Sequence, residues 1–183
     1  MKLPVALALA VGIIGGILTY LYVGPLGMLG LFVPATFMGA ATYFAAGGDL
    51  AALTKSVPAN LWGVIWATIA LILLALVTSP VMIAVIVGGL TGVMILGALI
   101  PVFDFVPGQV IGYAATAGFG LLTKASGTDF SLPTGPFTVM AISFLVGGAY
   151  GYLSSIVVAK LMTMRTARMP DTAGEGATGA LPG

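Results

Sequence analysis

An eight-residue phrase occurs twice in this chain, as FVPATFMG at 32–39 and FVPGQVIG at 105–112, so that Phe32, Val33, Pro34 and Gly39 return as Phe105, Val106, Pro107 and Gly112 after 73 residues. The echo continues downstream, with AAT at 40–42 against AAT at 114–116 and LTK at 53–55 against LTK at 122–124. Recurrence at a near-constant spacing marks an internal duplication. Whatever fold the first half adopts, the second half is constrained to adopt as well.

The distribution of charge says in what solvent that fold forms. Leu3–Val23 is an uncharged run of 21 residues behind Lys2, enough for a helix to cross roughly 30 Å of hydrocarbon at about 1.5 Å per residue. Its length argues against a cleaved signal peptide, whose apolar core is usually only about 7 to 15 residues. Five more apolar spans follow, at about Leu26–Gly47, Ala59–Val77, Val81–Ile100, 107–123 and Pro136–Ala159. Gly24 and Pro25, the Asp49 to Lys55 segment, Thr78 to Pro80, the PVFDFVPGQ stretch at 101–109 and a Lys124–Gly135 loop separate them. With 60% hydrophobic and 6% charged residues, the chain cannot cover a water-facing surface, which normally needs about a quarter charged. The expected fold is therefore an all-α polytopic membrane protein of six transmembrane helices. It occupies 1–160 as a single domain, with repeats of about 3–78 and 80–159, and a flexible cytoplasmic tail at 161–183.

An even number of spans puts both termini on one side. A cytoplasmic N-terminus places Lys2, Lys55, Lys160, Arg165 and Arg168 inside and only Lys124 outside, which is the positive-inside pattern. Each repeat holds three spans, an odd number, so the second copy enters the bilayer from the opposite side. The duplication is a 3+3 inverted repeat, an architecture whose substrate path commonly lies at the repeat interface.

Pro34 sits eight residues into its span, where a proline removes one backbone N–H and either interrupts a helix or starts one. Pro107 raises the same alternative. Small residues follow each proline at four-residue spacing, Gly108, Gly112, Thr116 and Gly120 in one copy and Ala35, Gly39 and Gly47 in the other. Such faces allow close helix packing, and where two of them cross they can also border a solute path. The expected centre is the meeting of the two FVP helices, with Gly39 and Gly112 as related positions. The remaining glycines of the 27 in the chain exceed what six short helices need internally, and predict a homo-oligomer.

The polar inventory excludes most chemistry. There is no His to activate a serine, no Cys, and no paired carboxylates for acid and base work, so no catalytic, metal or cofactor site is expected. A net charge of +1 gives no basis for nucleic-acid binding. Asp104, between Phe103 and Phe105, is either a cytoplasmic interfacial residue or an intramembrane acid. The candidate solute-path residues are Phe32, Pro34, Gly39, Asn60, Trp66, Asp104, Phe105, Pro107, Gly108, Gln109 and Gly112, of which Asn60 and Gln109 could orient a small polar solute.

The phrases LGMLGL, TYFAAGG at 42–48, NLWGVIWA at 60–67 and FVPGQVIGYAAT at 105–116 resemble the small bacterial inner-membrane family typified by YcdZ, a domain of unknown function. The resemblance spans about residues 9–160. It implies a polytopic helical fold in a bacterial plasma membrane, and no reaction. Residues and resemblance together leave a channel or facilitator for a small neutral solute (urea, an amide or a dissolved gas). The alternatives are a non-transporting scaffold or accessory subunit, or a proton-coupled transporter using Asp104.

Overall fold

The computed structural model describes residues 2–166. Six helices account for the fold: α1 (Leu3–Val23), α2 (Val33–Ala45), α3 (Leu50–Leu74), α4 (Pro80–Leu96), α5 (Val106–Thr123) and α6 (Pro136–Thr166). No strand occurs among the described residues. Four helices, α1, α3, α4 with its last 3-10 turn, and α6, are long and apolar enough to cross a membrane. α5, of 18 residues, and α2, of 13, would reach about 27 Å and 20 Å at about 1.5 Å per residue.

Two boundaries differ from the sequence reading. The second apolar span is broken: Leu26 to Phe32 form a 3-10 turn at Gly27–Leu29 and an extended exit, and α2 begins only at Val33 with Pro34 in its first turn. Pro34 thus interrupts the apolar span and starts the helix. Pro107 occupies the same place in α5, after Phe105 in a non-helical conformation. The third helix begins nine residues before the expected Ala59. Asp49 caps it, its carboxylate accepting the Ala52 N–H at 2.8 Å, and Pro58 is carried inside. The Asp49 cap fixes where the helix starts, and the helix runs on through Pro58 although a proline there removes one of its hydrogen bonds. At the other end of the chain, α6 continues to Thr166, beyond the expected Ala159. The rest of the expected tail lies outside the described residues.

Packing follows the duplication. α3 packs most extensively on α5, and α2 on α6; α1 lies outside against α6, and α4 outside against α3. Exchanging the two repeats (α1 with α4, α2 with α5, α3 with α6) turns each of these pairings into another of them. The central and peripheral roles appear in burial as well: the apolar windows of α3 and α6 are each 44% buried, those of α1 and α4 only 22% and 11%. The core at the centre is shared by all four inner helices, through Ala35, Val64, Ala115, Phe119, Val139, Met140 and Phe144. The first turns of α1 and the last turns of α2 and α6 border one groove, so the chain enters α1 and leaves α6 at the same end of the bundle. At the other end the loop between α5 and α6 closes on Asp129. Its carboxylate accepts the Ser131 and Thr134 hydroxyls, each at 2.6 Å, and the Ser131 N–H at 2.8 Å, which together hold it below the usual carboxylate range.

Candidate functional site

The glycine faces read from sequence are contact faces, and each has a glycine opposite it. In α5, a Cβ on Gly112 would overlap the Asn60 backbone carbonyl of α3, and a Cβ on Gly63 would overlap the Gln109 carbonyl in return. In α2, a Cβ on Gly39 would lie 3.0 Å from both the Gly147 Cα and the Phe144 carbonyl oxygen, and one on Gly147 would overlap the Thr36 carbonyl. These two crossings are equivalent position by position. Thr36 and Gly39 correspond to Gln109 and Gly112 at the 73-residue spacing, while Asn60 and Gly63 correspond to Phe144 and Gly147 at a spacing of 84. Gly39 and Gly112 are therefore related as expected, but the two FVP helices do not meet at them. Each glycine packs its helix onto a long helix of the other repeat, because backbone-to-backbone approach needs a small residue on both sides. The signal for the partner glycines is the pair NLWG at 60–63 and FLVG at 144–147, which extends the duplication into a third span.

The twin crossings differ in their polar groups. At α3 and α5, Asn60 is 1% exposed and Gln109 0%. The Thr42 hydroxyl donates to the Gly39 carbonyl at 2.9 Å, so its oxygen can only accept from Asn60, at 2.7 Å, which identifies that Asn60 atom as Nδ2. Gln109 reaches the Phe103 carbonyl, a group that can only accept, which identifies Nε2 in the same way. Both amides are thereby turned, and each leaves its carbonyl oxygen buried without a hydrogen-bond partner. Asn60 Oδ1 lies beside the first turn of α5, 3.3 Å from the place a Cβ on Gly108 would take. Gln109 is the next residue. At the equivalent crossing of α2 and α6, Phe144 has no polar atom, and the Thr36 hydroxyl donates to Tyr22 at 3.1 Å. The same backbone geometry is built there with every side-chain polar group satisfied.

Around this crossing lie further buried polar groups with ordinary partners. Thr116 donates to the Gly112 carbonyl at 2.8 Å, and Ser143 donates to Val139 at 2.7 Å while accepting the Phe32 N–H at 2.9 Å. The aromatic wall is formed by Trp62, which stacks on Phe103 at 4.5 Å and donates to the Met94 carbonyl at 3.0 Å, and by Trp66, whose buried indole N–H has no partner. Phe32 meets Phe119 edge-on at 5.3 Å. Of the eleven residues singled out in the sequence, Asn60, Gly108, Gln109 and Gly112 come together at one crossing, with Phe105 against Gly108. Pro34, Pro107 and Asp104 are exposed. Thr42, Thr36, Gly63 and Gly147 belong to the two crossings and were not singled out.

The arrangement offers two unmet acceptors, an unmet donor at the Trp66 indole and no charge. A buried carbonyl oxygen left unmet costs about 1 to 3 kcal/mol, so the two oxygens favour any neutral group that brings an N–H or O–H to them. In a membrane interior a charged ligand would pay more. The family described as Protein of unknown function (DUF1097) matches residues 8–159 of the chain, in keeping with the resemblance read over about residues 9–160. No curated protein and no solved structure matches.

Proposed function

For a chain that belongs to the DUF1097 family, whose description assigns no activity, we propose a membrane channel or facilitator for a small neutral solute that donates hydrogen bonds, of the class of urea, simple amides or ammonia. The observation that carries this reading is the pair of donor-less amide oxygens of Asn60 and Gln109, present at one glycine crossing and absent from its twin. The fold does not require them, since Thr36 and Phe144 serve the same helix contact. The inverted pairing of the two repeats supports a path between them. The reading is tested by stopped-flow uptake of urea, small amides and glycerol into proteoliposomes: faster entry than the lipid background for the amides is expected, and background rates for all of them would refute it. One observation favours a second reading, a non-transporting scaffold: both glycine crossings are closed by backbone contact.

The membrane is a bacterial inner membrane in this reading, and both termini are cytoplasmic, on the strength of the lysine and arginine bias. A reporter fused after Gly183 should be active only in its cytoplasmic form, and one inserted at Gly127 only in its periplasmic form. Two reporters on one side would exclude six spans.

The working unit is a homo-oligomer of this chain. A Cβ at Gly88, Gly89 or Gly92 of α4, or at Gly12 or Gly16 of α1, meets nothing within 4 Å inside the protomer. Glycine costs roughly 1 kcal/mol against alanine in a helix interior, so a glycine face left open within the chain is better explained by a contact outside it. Cross-linking in native membranes should give a discrete multimer, and Gly88→Ile with Gly92→Ile should reduce it to monomer without moving Tm. A wild-type chain that cross-links only as monomer contradicts the assembly.

A further inference from the structure

Beyond the crossing of α3 and α5, two more buried polar groups have no hydrogen-bond partner among the described residues, the Trp66 indole N–H and the Tyr113 hydroxyl. Tyr113 is only 9% exposed, and both side chains pack in one cluster with Ala67 and Met94, between α3, α4 and α5. Three contacts bring them to one level. A Cβ on Gly63 would overlap the Tyr113 backbone nitrogen, which sets Tyr113 beside that turn of α3. The Trp62 indole donates to the Met94 carbonyl at 3.0 Å, and α4 runs back along α3 after the short connection at 75–79. Trp66, one turn beyond Trp62, therefore stands opposite Thr91, one turn before Met94. The Tyr113 hydroxyl faces the same Thr91 without closing a hydrogen bond to it.

The duplication shows that the fold does not need these groups. α1 and α4 match at a spacing of 76, which pairs Pro4, Val11, Gly12 and Gly16 with Pro80, Val87, Gly88 and Gly92. Thr91 then corresponds to Gly15, and at the spacings already given Trp66 corresponds to Tyr150 and Tyr113 to Ala40. At that twin contact one hydroxyl is present, and it is satisfied: Tyr150 donates to the Val11 carbonyl at 2.7 Å, and a Cβ on Gly15 would lie 2.7 Å from the Tyr150 oxygen. In the other repeat the equivalent acceptor, the Val87 carbonyl, takes the Thr91 hydroxyl at 2.7 Å, and the Trp66 N–H and Tyr113 O–H are left over. Two donors buried among apolar side chains without a partner favour whatever brings an acceptor to them.

We propose that Trp66 and Tyr113 form a carbonyl-binding station on the solute path, next along the bundle from the acceptors of Asn60 and Gln109, and that the solute is therefore a primary amide or urea. The inference rests on the transport reading and narrows it. A carbonyl oxygen has two lone pairs, one for each donor, and the amino group beside it brings two hydrogens to the two amide oxygens. Ammonia has a single lone pair, and an alcohol brings one hydrogen per oxygen, so neither satisfies both stations. Tyr113 follows Gln109 by one turn of α5, about 6 Å, so a molecule of this size meets the two stations in succession.

Stopped-flow uptake of urea and thiourea into proteoliposomes tests the station, because sulfur is a weak acceptor while the amino groups are the same. The wild-type chain should pass urea about tenfold faster than thiourea or more, since a site built to hydrogen-bond a group discriminates strongly against an analogue that lacks it. Trp66→Phe with Tyr113→Phe should remove that preference by lowering urea uptake about tenfold. Tyr113→Phe alone deletes one unmet oxygen, so Tm should hold or rise while the preference shrinks, which keeps the test independent of any effect of the lost indole on assembly. Background rates for both solutes in the wild-type chain refute the transport reading, and this station with it. Urea uptake above background without preference over thiourea, or a preference that survives both variants, overturns the station alone.

Discussion

Gly112→Ala and Gly63→Ala are expected to destabilise the folded bundle by an amount at or beyond the upper end of the about 1 to 3 kcal/mol that overpacking typically costs. In each case the added methyl meets a backbone carbonyl, of Asn60 or of Gln109, and a main chain cannot swing aside as a side-chain end can. Gly39→Ala should be milder, because its methyl stands 3.0 to 3.3 Å from Gly147 and Phe144 and a shift of a few tenths of an ångström relieves it. Gly118→Ala is the control: nothing lies within 4 Å, so alanine should gain up to about 1 kcal/mol from its better helix propensity. With leucine the graded order collapses, and both Gly39→Leu and Gly112→Leu should fail to assemble while Gly174→Leu in the tail does nothing. Thermal unfolding in detergent, followed by circular dichroism, gives the ranking. Equal effects of alanine at 112 and 118 would mean that the two helices are not in backbone contact.

Much of this fold was legible before any coordinates. The uncharged lengths between Lys2 and Lys160 set the helix count, and the repeated FVP phrase set which helices are equivalent. Both prolines lie where a helix begins, a position that sequence allows as readily as a break. What sequence hid were long-range choices. Leu26 to Phe32 is as apolar as the helix that follows, and only the packed structure distinguishes an extended entry from another turn of helix. The partner of each glycine face was likewise hidden, since Gly39 and Gly112 look alike in sequence and each would suit the other. In the fold they meet Gly147 and Asn60 instead. The site was half visible: Asn60 and Gln109 stand out as rare amides in apolar spans, but their orientation depends on Thr42 and Phe103, which only tertiary structure brings to them.

That orientation makes the largest functional effect separable from stability. Gln109→Met and Asn60→Leu replace each amide by an apolar side chain of similar shape, deleting the unmet oxygen together with its donor. Removing a buried unsatisfied group recovers part of its cost of about 1 to 3 kcal/mol, so Tm should hold or rise slightly in Asn60→Leu; in Gln109→Met the gain is offset by the Phe103 carbonyl, which loses its donor, so Tm should hold. Thr42 keeps its own bond to the Gly39 carbonyl at 2.9 Å without Asn60, so the neighbouring turn is not left with a stranded hydroxyl. Amide uptake into proteoliposomes should nevertheless fall about tenfold or more, the factor equivalent to losing one good hydrogen bond of about 1.4 kcal/mol along the path. A structural role for the amides predicts the opposite pairing, a lower Tm with uptake reduced only in proportion to the protein that assembles. Asp104→Asn completes the set: its carboxylate is exposed and lies outside the crossing, so uptake should be unchanged. If uptake is lost there with normal assembly, the solute is coupled to a proton and the neutral channel is the wrong mechanism. If uptake survives in both amide variants, the two oxygens do not face the solute, and the closed glycine crossings then favour the scaffold.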